Sequence, residues 1–97
     1  MENIVITAIL KAKPGHEAEL YEAMKRVVPF SQSEQGCITY KLHQSADDPA
    51  VYVFYEIWQD EQSLQKHLAS DHYRAYREQA DQLAASREVY RLRMVTV

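Results

Sequence analysis

The stretch that most constrains the fold of this chain is Val51–Trp58, VYVFYEIW. Its β-branched and aromatic side chains are typical of a buried strand. Successive side chains of a strand lie on opposite faces, which divides the stretch into two sets. The sets are Val51, Val53, Tyr55 and Ile57 on one face, and Tyr52, Phe54, Glu56 and Trp58 on the other. Both sets are mainly apolar, so both faces of this strand need to be covered.

The first half of the chain predicts a strand, a helix and a second strand. Asn3–Lys11 alternates as a strand that is apolar on both sides, and an amphipathic helix follows from His16. Pro29 predicts a bend, or an end of the helix at Val28. Gly36 is expected to stop the helix in a left-handed conformation. The next strand, Cys37–Gln44, has Ile38, Tyr40 and Leu42 on one face, and it pairs with Val51–Trp58 as a hairpin.

The second half predicts two helices and a last strand. Asp60 is placed as the N-cap of a short helix that ends near Ala69, and a second helix starts at Asp71. Arg87–Val97 is expected to be the fourth strand, with Arg91 and Arg93 on one solvated or salt-bridged face. Residues 1–97 therefore form a single α+β domain, ferredoxin-like, in the order βαββαβ.

This arrangement leaves one apolar face of the sheet uncovered. At about 25 cal/mol per Å² of apolar area, several hundred Å² of exposed surface would forfeit on the order of 10 kcal/mol, comparable with the stability of a whole domain. A symmetric homodimer through the open sheet face would cover it.

Composition argues against several classes of protein. The 97 residues carry a net charge of -3, which argues against nucleic-acid and membrane-surface partners, since both favour clustered Lys and Arg. Cys37 is the single cysteine, so no internal disulfide forms. The amino-terminal MENIVITAIL resembles neither a signal peptide nor a membrane span, and we expect a cytoplasmic protein.

The sequence offers little to hold a cofactor. Its two glycines, Gly15 and Gly36, do not form a phosphate-binding loop. His67 and His72 are five residues apart across a predicted helix break, whereas paired ligands on one helix face are four apart. A metal site can be drawn from Glu56 with these two histidines, but the spacing does not favour it. We therefore predict no cofactor and no metal.

Acid and base chemistry is better supported, with His67 and Glu56 as the candidates. His67 lies near the inward stripe of its helix and titrates near neutral pH, and Glu56 can fix its tautomer. The same pattern also fits a core histidine with one hydrogen bond. His72 fits either a surface position near a helix start or a pocket. The aromatic residues either line a pocket for a flat aromatic ligand or fill the core and an interface; they are Tyr40, Tyr52, Tyr55 and Trp58.

Several short motifs together resemble the antibiotic biosynthesis monooxygenase family. They are Glu34, Gly36, Cys37 and Tyr40 in EQGCITY, Glu56 and Trp58 in YEIW, and His67, Ser70, His72 and Tyr73 in HLASDHY. The likeness runs from Pro14 to the end of the second predicted helix, and it is strongest to small bacterial quinol monooxygenase-like proteins.

The resemblance implies a dimeric α/β barrel and a cofactor-independent oxygenase. In such an enzyme a deprotonated quinol or hydroxylated aromatic itself reduces dioxygen. It further implies that His67 is the base or proton shuttle, that Glu56 is its partner, and that Tyr40, Trp58 and His72 line the pocket. The related haem-degrading branch looks different: it has a tryptophan at the position of His67 and a haem-ligating histidine near the position of Arg77. This chain has neither residue, so we expect no haem.

Two other functions remain open. Members of the same family resemble an isomerase of a small phosphorylated hydroxyketone, for which the same His and Glu would move protons between carbons. The alternative without catalysis is a dimer that binds a small ligand. An RNA-recognition module is disfavoured, because YVFYEIW lacks the basic residue and the glycines of that fold's signature.

Overall fold

The computed structural model describes residues 2–97, which contain four strands and three helices. The elements are β1 (Ile4–Ala12), α1 (Glu17–Gln32), β2 (Cys37–Gln44), β3 (Val51–Trp58), α2 (Glu61–Leu68), α3 (Asp71–Leu83) and β4 (Ala84–Leu92). This is the predicted α+β, ferredoxin-like arrangement, with its second helical segment divided into α2 and α3. No helix in the described part of the chain has the length and apolarity needed to cross a bilayer.

The strands form one antiparallel sheet in the order β2-β3-β1-β4. The pairing of β1 with β3 places Ile6 opposite Glu56 and Ala8 opposite Phe54, and that of β1 with β4 places Leu10 opposite Arg87. The Cα atoms span 43 × 35 × 17 Å. Because the shortest dimension is 17 Å, there is room for one sheet and one layer of helices.

The helices cover one face of the sheet, and the core lies between the two layers. From β1, the alternating residues Ile6, Ala8, Leu10 and Ala12 are buried there. From β3, the buried residues are Tyr52, Phe54, Glu56 and Trp58. The opposite face carries mainly apolar side chains that remain partly exposed: Val5, Thr7, Ile9, Val51, Val53, Tyr55 and Ile57.

The end of α1 at Val28, one of the two outcomes predicted from Pro29, does not occur, and the predicted stop at Gly36 was wrong. The helix continues through Pro29 to Gln32, because its buried stripe extends past the proline to Ser31 and the Ser33 N–H donates to the Pro29 carbonyl at 3.2 Å. Gly36 has the expected positive φ of 87°, but it lies in the loop after the helix and does not stop it. Gly36 instead allows its loop to lie close to α2, since a Cβ at Gly36 would lie 2.0 Å from Oγ of Ser63.

Two predictions about strands also need correction. Ile38 is 54% exposed and does not share a face with Tyr40, because the register shifts between Cys37 and Thr39. The last strand is Ala84–Leu92, so Arg93 lies beyond its end. The predicted start at Arg87 was too late because α3 passes directly into β4 without a loop, and the Lys13 N–H holds the joint by donating to the Leu83 carbonyl at 2.8 Å.

Candidate active site

Glu56 is a buried carboxylate on the helix-covered face of β3, with 5% of its surface exposed. The Trp58 Nε1–H donates to its Oε1 at 3.0 Å. Burial raises the pKa of Glu56 to about 7, and the Trp58 hydrogen bond and the positive charge of Arg87 oppose this rise. A carboxyl group with a pKa near 7 exchanges protons at neutral pH, as a general acid or base requires.

His67 lies behind Glu56, fully buried, with its ring close to those of Trp58, Tyr73 and Tyr40 at centroid distances of 4.5, 4.8 and 5.4 Å. Its Nδ1 lies 2.8 Å from Oε1 of Glu34, and its Nε2 lies 4.0 Å from Oε1 of Glu56. Burial lowers the pKa of His67, although the bond to Glu34 opposes that effect. The ring is therefore neutral at neutral pH.

Glu34 joins the two histidines of the site. Its Oε1 also lies 2.5 Å from Nε2 of His72, which is stacked on Phe30 at a centroid distance of 5.7 Å. With the Glu34 oxygen as the acceptor of both bonds, His67 donates through Nδ1–H and His72 through Nε2–H. The side chains of Glu34 and His72 are 15% and 24% exposed, so this end of the cluster reaches the surface.

Three local features place these groups together. Asp60 caps α2 by accepting from the Ser63 N–H at 2.8 Å, as predicted from the sequence. Ser70 caps α3, and its hydroxyl donates to the His67 carbonyl at 2.6 Å, which fixes the turn between the two histidines. Gly36 allows the loop that carries Glu34 to approach the first turn of α2. Each motif of the family resemblance therefore has a structural role around His67.

A cavity of about 510 Å³ lies between the sheet and helices α2 and α3. Its volume is within the range of small-molecule sites. Glu56, Phe54, Tyr73, Tyr76, Arg77 and Arg87 are among its lining residues. Leu68 and Val89 also line it and are 38% and 43% exposed, so the cavity reaches solvent on their side. His67 does not line it, and Glu56 separates His67 from the cavity.

The cavity also has basic lining residues, since Arg87 lies on the same face of the sheet as Glu56 and Arg77 lies on α3. Arg77 and Arg87 both donate to the Tyr73 hydroxyl oxygen, at 3.3 and 3.2 Å. Arg77 is also paired with Asp81 at 3.2 Å, and Arg91 is paired with Glu61. Within residues 2–97, Arg87 has no carboxylate within ion-pair distance. Since the Tyr73 oxygen already accepts two bonds, its O–H is free to donate to a ligand in the cavity.

The structure brings most of the predicted site residues together, but not as a single pocket lining. Glu56, His67, Trp58 and Tyr40 form one buried aromatic cluster. Tyr40 and His72 lie outside the lining of the 510 Å³ cavity, as does Trp58, and Tyr55 lies on the open face of the sheet. Tyr40 instead borders a larger groove of about 890 Å³ between α1 and β2, whose charged lining residues Glu22, Lys25, Arg26 and Lys41 are exposed.

Sequence reasoning did not assign a role to Glu34, Tyr73 or Arg87. Glu34 is 33 residues from His67 along the chain, so no helical or strand periodicity relates them. Its one available signal was its place in the EQGCITY motif. Arg87 was placed at the start of the last strand, but its face could not be assigned without the register against β1.

Glu34, His67 and His72 are the residues that could hold a metal, since their donor atoms lie within 4.8 Å of one another. Two histidines and one carboxylate are a common ligand set for zinc or iron. Two ligands at 2.0–2.1 Å from one tetrahedral ion would lie about 3.3 Å apart. The Glu34 oxygen is 2.8 and 2.5 Å from the two nitrogens, which fits shared protons better than a shared ion.

The residues of this site lie within a region that matches a known protein family. The model of the family described as "Antibiotic biosynthesis monooxygenase" matches residues 3–79, which include Glu34, Glu56, His67 and His72. The chain belongs to this family. The family resemblance seen in the motifs is thereby confirmed, and a monooxygenase-like function follows at that level.

Individual relatives agree with the assignment. The chain is 28% identical over 80 residues to the Mycobacterium tuberculosis protein named "Putative monooxygenase Rv0793", covering 82% of this chain and 78% of that one. The solved structure of Rv0793 matches with a TM-score of 0.91, at 25% identity over 99% of this chain and 98% of that one. The crystal structure of PA3566 from Pseudomonas aeruginosa matches with a TM-score of 0.93, at 25% identity over 99% and 97%.

A further relative is longer. The chain is 26% identical over 82 residues to the uncharacterized protein sll1783 of Synechocystis, covering 84% of this chain and 56% of that protein. The similarity is therefore to about half of the Synechocystis protein. The name of the Synechocystis protein states no activity.

Proposed function

We propose that this chain is a cofactor-independent monooxygenase that oxidises a quinol or another hydroxylated aromatic with dioxygen. The observation that carries the proposal is Glu56, a buried carboxylate with a raised pKa at the wall of a cavity of about 510 Å³. The family match supports the reaction class. The cavity supports the substrate class, because aromatic and aliphatic side chains line most of it.

In this proposal Glu56 is the general base. It borders the cavity directly, whereas His67 lies behind it, so the substrate hydroxyl meets Glu56 first. Removing the hydroxyl proton gives an electron-rich phenolate, which is the reductant for dioxygen. The sequence-based hypothesis gave His67 as base or proton shuttle and Glu56 as its partner; in this proposal Glu56 is the base and His67 the shuttle.

Tyr73 and Arg87 stabilise the negative charge that develops on the substrate oxygen. The free O–H of Tyr73 is positioned to donate to the oxygen, and Arg87 supplies a positive charge that has no ion-pair partner within residues 2–97. Such preorganised donors stabilise a developing anion because they need no reorganisation during the reaction. Glu56 and Arg87 therefore border the cavity from the same face of the sheet, and Tyr73 borders it from α3.

The reaction balances without a cofactor. A hydroxylated aromatic ring with a free C–H position reacts with one dioxygen to give a quinone and one water. One oxygen atom becomes the new carbonyl, and the other leaves as water with one hydrogen from the ring C–H and one from the hydroxyl. The ring supplies the electrons, so the protein supplies a base, an anion site and a mainly apolar cavity.

Oxygen uptake with a panel of hydroquinones and hydroxyanthrones tests the proposal. Glu56→Gln should lower turnover by about 10²- to 10⁴-fold because the base is lost while the shape is kept. Glu19→Gln is the matched control, since Glu19 is an exposed carboxylate that also bonds a histidine, His16, at 2.9 Å. Oxygen uptake that is equal in folded Glu56→Gln and unchanged protein would remove Glu56 as the base.

The arginines favour one alternative, an isomerase of a phosphorylated hydroxyketone. Arg77, Arg87 and Arg91 all border the cavity, and guanidinium groups bind phosphate well. Glu56 would then move a proton between neighbouring carbons. Such an enzyme consumes no oxygen, so the same oxygen electrode separates the two functions. A small-ligand binder without catalysis would show neither oxygen uptake nor isomerised product.

The protein is proposed to act as a homodimer through the open sheet face. Val53, Tyr55 and Ile57 of β3 and Val5 and Ile9 of β1 present a mainly apolar surface there. A second copy offers the same surface, so the two faces complement each other by symmetry. Two facing sheets would give the dimeric α/β barrel implied by the family resemblance.

A further inference from the structure

The His67 ring has one nitrogen with no partner in the described structure. Its Nδ1 is bonded to Glu34, but Nε2 is buried and makes no hydrogen bond. The nearest carboxylate oxygen is Oε1 of Glu56 at 4.0 Å, too far for a hydrogen bond and close enough for a small side-chain movement to make one. A buried polar atom without a partner is uncommon and calls for an explanation.

The ionisable groups around this nitrogen form a line. Glu56 borders the cavity, His67 lies behind it, and Glu34 lies behind His67. The gaps along the line are 4.0 and 2.8 Å. Exposure of the side chains changes from 6% for Glu56 and 0% for His67 to 15% for Glu34. The line therefore connects the cavity to the protein surface on the side of the α1–β2 loop.

We propose that Glu56, His67 and Glu34 form a proton conduit between the cavity and solvent, and that His72 is a positioning residue that holds the Glu34 carboxylate. The inference rests on the proposed function, because it takes Glu56 as the group that exchanges a proton with the substrate. Its additional content is the assignment of Glu34 and His72, which lie outside the cavity lining.

In the outward direction, the proton moves from the cavity to solvent. The substrate hydroxyl gives its proton to Glu56, and Glu56 passes it to the lone pair on Nε2 of His67. The cationic ring releases its Nδ1 proton to Glu34, which then loses it to water. Glu56 and Glu34 are carboxylates again, and His67 is left neutral with its proton on Nε2.

The reverse direction completes the cycle. A proton taken up by Glu34 passes to Nδ1 of His67, and the Nε2 proton passes through Glu56 to the oxygen atom that leaves as water. His67 returns to its first tautomer. One proton out and one proton in match the reaction of a hydroxylated aromatic with dioxygen, which consumes no net protons. A conduit of this kind supplies Glu56 while a substrate fills the cavity.

The surroundings of His67 leave Glu34 as the outlet. Tyr40 approaches from β2, and burial raises the pKa of its hydroxyl well above the ordinary value, so it stays protonated. Tyr73 and His72 approach from α3, and Trp58 and Glu56 from β3. Arg87 is the cation that acts on Glu56. Of these, Glu34 alone is an acceptor on Nδ1.

A pH jump measures the conduit without turnover, with 1,4-dimethoxybenzene, which has no hydroxyl proton, filling the cavity. Protons are released by a flash from a caged compound in protein held at pH 8, and the rise of the Glu56 carboxyl band is followed by infrared spectroscopy. The band is assigned by its absence in Glu56→Gln. We expect the rate to fall about tenfold or more in Glu34→Gln, because an amide cannot carry the proton. Glu34→Asp keeps the carboxyl group and should show an intermediate rate.

Glu19→Gln is the control, since it removes a carboxylate that bonds an exposed histidine elsewhere on the surface. Its rate should equal that of the unchanged protein. An unchanged rate in both Glu34→Gln and Glu34→Asp would overturn the conduit and show that protons reach Glu56 through the cavity. Stoichiometric zinc or iron bound to Glu34, His67 and His72 in the purified protein would overturn it as well.

Turnover separates the conduit from the proposed oxygenase. With an active hydroquinone, Glu34→Gln should lower kcat about tenfold with KM unchanged, and the solvent deuterium isotope effect should increase. A lower kcat with an unchanged pH-jump rate would make Glu34 a residue that merely orients His67. If no compound of the panel is oxidised but the pH-jump rate still depends on Glu34, the oxygenase fails and the conduit stands.

Discussion

The two faces of β3 carry similar side chains and have opposite environments. On the helix-covered face, Phe54 and Trp58 are 1% and 0% exposed, and they enclose Glu56. On the open face, Tyr55 is 38% exposed and its neighbours are half-buried. Hydrophobic composition therefore indicates that a face needs a cover, but it does not indicate whether the same chain or a second copy provides it.

Truncation of a large side chain should separate the faces most strongly. Phe54→Ala is expected to lower the free energy of unfolding by about 3–5 kcal/mol, because it leaves a cavity between the two layers. Val53→Ala, one residue away on the open face, should cost about 1 kcal/mol or less in a monomer. Urea unfolding at low protein concentration measures both. A cost for Val53→Ala as large as that for Phe54→Ala would mean that the open face is covered even in dilute solution.

Glu56 makes the covered face sensitive to pH. Its folded pKa of about 7 exceeds the ordinary value of 4.5, so its contribution to stability is fully present below pH 4.5 and is lost as pH rises through 7. The loss is of the order of 3 kcal/mol for a shift of this size. Glu56→Gln should remove this dependence.

The stability difference between Glu56→Gln and the unchanged protein should therefore grow between pH 4.5 and 7 and then level off. Urea unfolding at a fixed protein concentration across this range measures it. The effect of His67 has the opposite sign, since its lowered pKa reduces stability as pH falls below its ordinary value of 6.5, and this effect is largely common to both proteins. A pH-independent difference would contradict the raised pKa of Glu56.

The two glycines test how tightly the helical layer is held against the covered face. Gly36→Ala should cost about 1–3 kcal/mol, because φ is 87° and the new Cβ meets Ser63 in α2. Gly15→Ala has the same backbone strain at φ 86° with nothing within 4 Å, so it should cost about 1–2 kcal/mol. Thermal unfolding of both variants gives the difference. Adding Ser63→Gly should restore part of the loss at Gly36 and none at Gly15.

A charge on the open face should act on association and leave the monomer folded. Tyr55→Asp places a carboxylate in the proposed interface, and we expect the dimer dissociation constant to rise about tenfold or more. Sedimentation velocity at micromolar concentration measures it, with circular dichroism to confirm the fold. A stable monomer in the unchanged protein would contradict the dimer before any variant is made.

Periodicity predicted the bounds of β2 and β3, and the caps Asp60 and Ser70 placed α2 and α3 correctly. These signals are local, so one sequence contains them. The start of β4 was missed because Leu83 is followed directly by Ala84, with no glycine, proline or polar loop at the change. Local pattern also cannot show a bulge, and that is why Ile38 was assigned to the wrong face.

The site was predicted in part. Glu56 and His67 were identified from residue type and predicted orientation, and they are 4.0 Å apart in the fold. Their relative placement against the cavity needed the packing of α2 and α3 on the sheet. Glu34, Tyr73 and Arg87 come from three separate elements, so their meeting depends on tertiary contacts that no spacing rule describes.

The direct passage from α3 into β4 limits how the cavity can adapt to what enters it. Tyr73 and Arg77 stand on the helix, Arg87 and Val89 stand on the strand, and no linker residue separates the two elements. The joint is hydrogen-bonded to Lys13, and β4 is paired along β1. The helix wall and the strand wall of the cavity are therefore held at a fixed separation. The cavity should therefore select ring systems by size, and compounds too bulky for its volume should not bind.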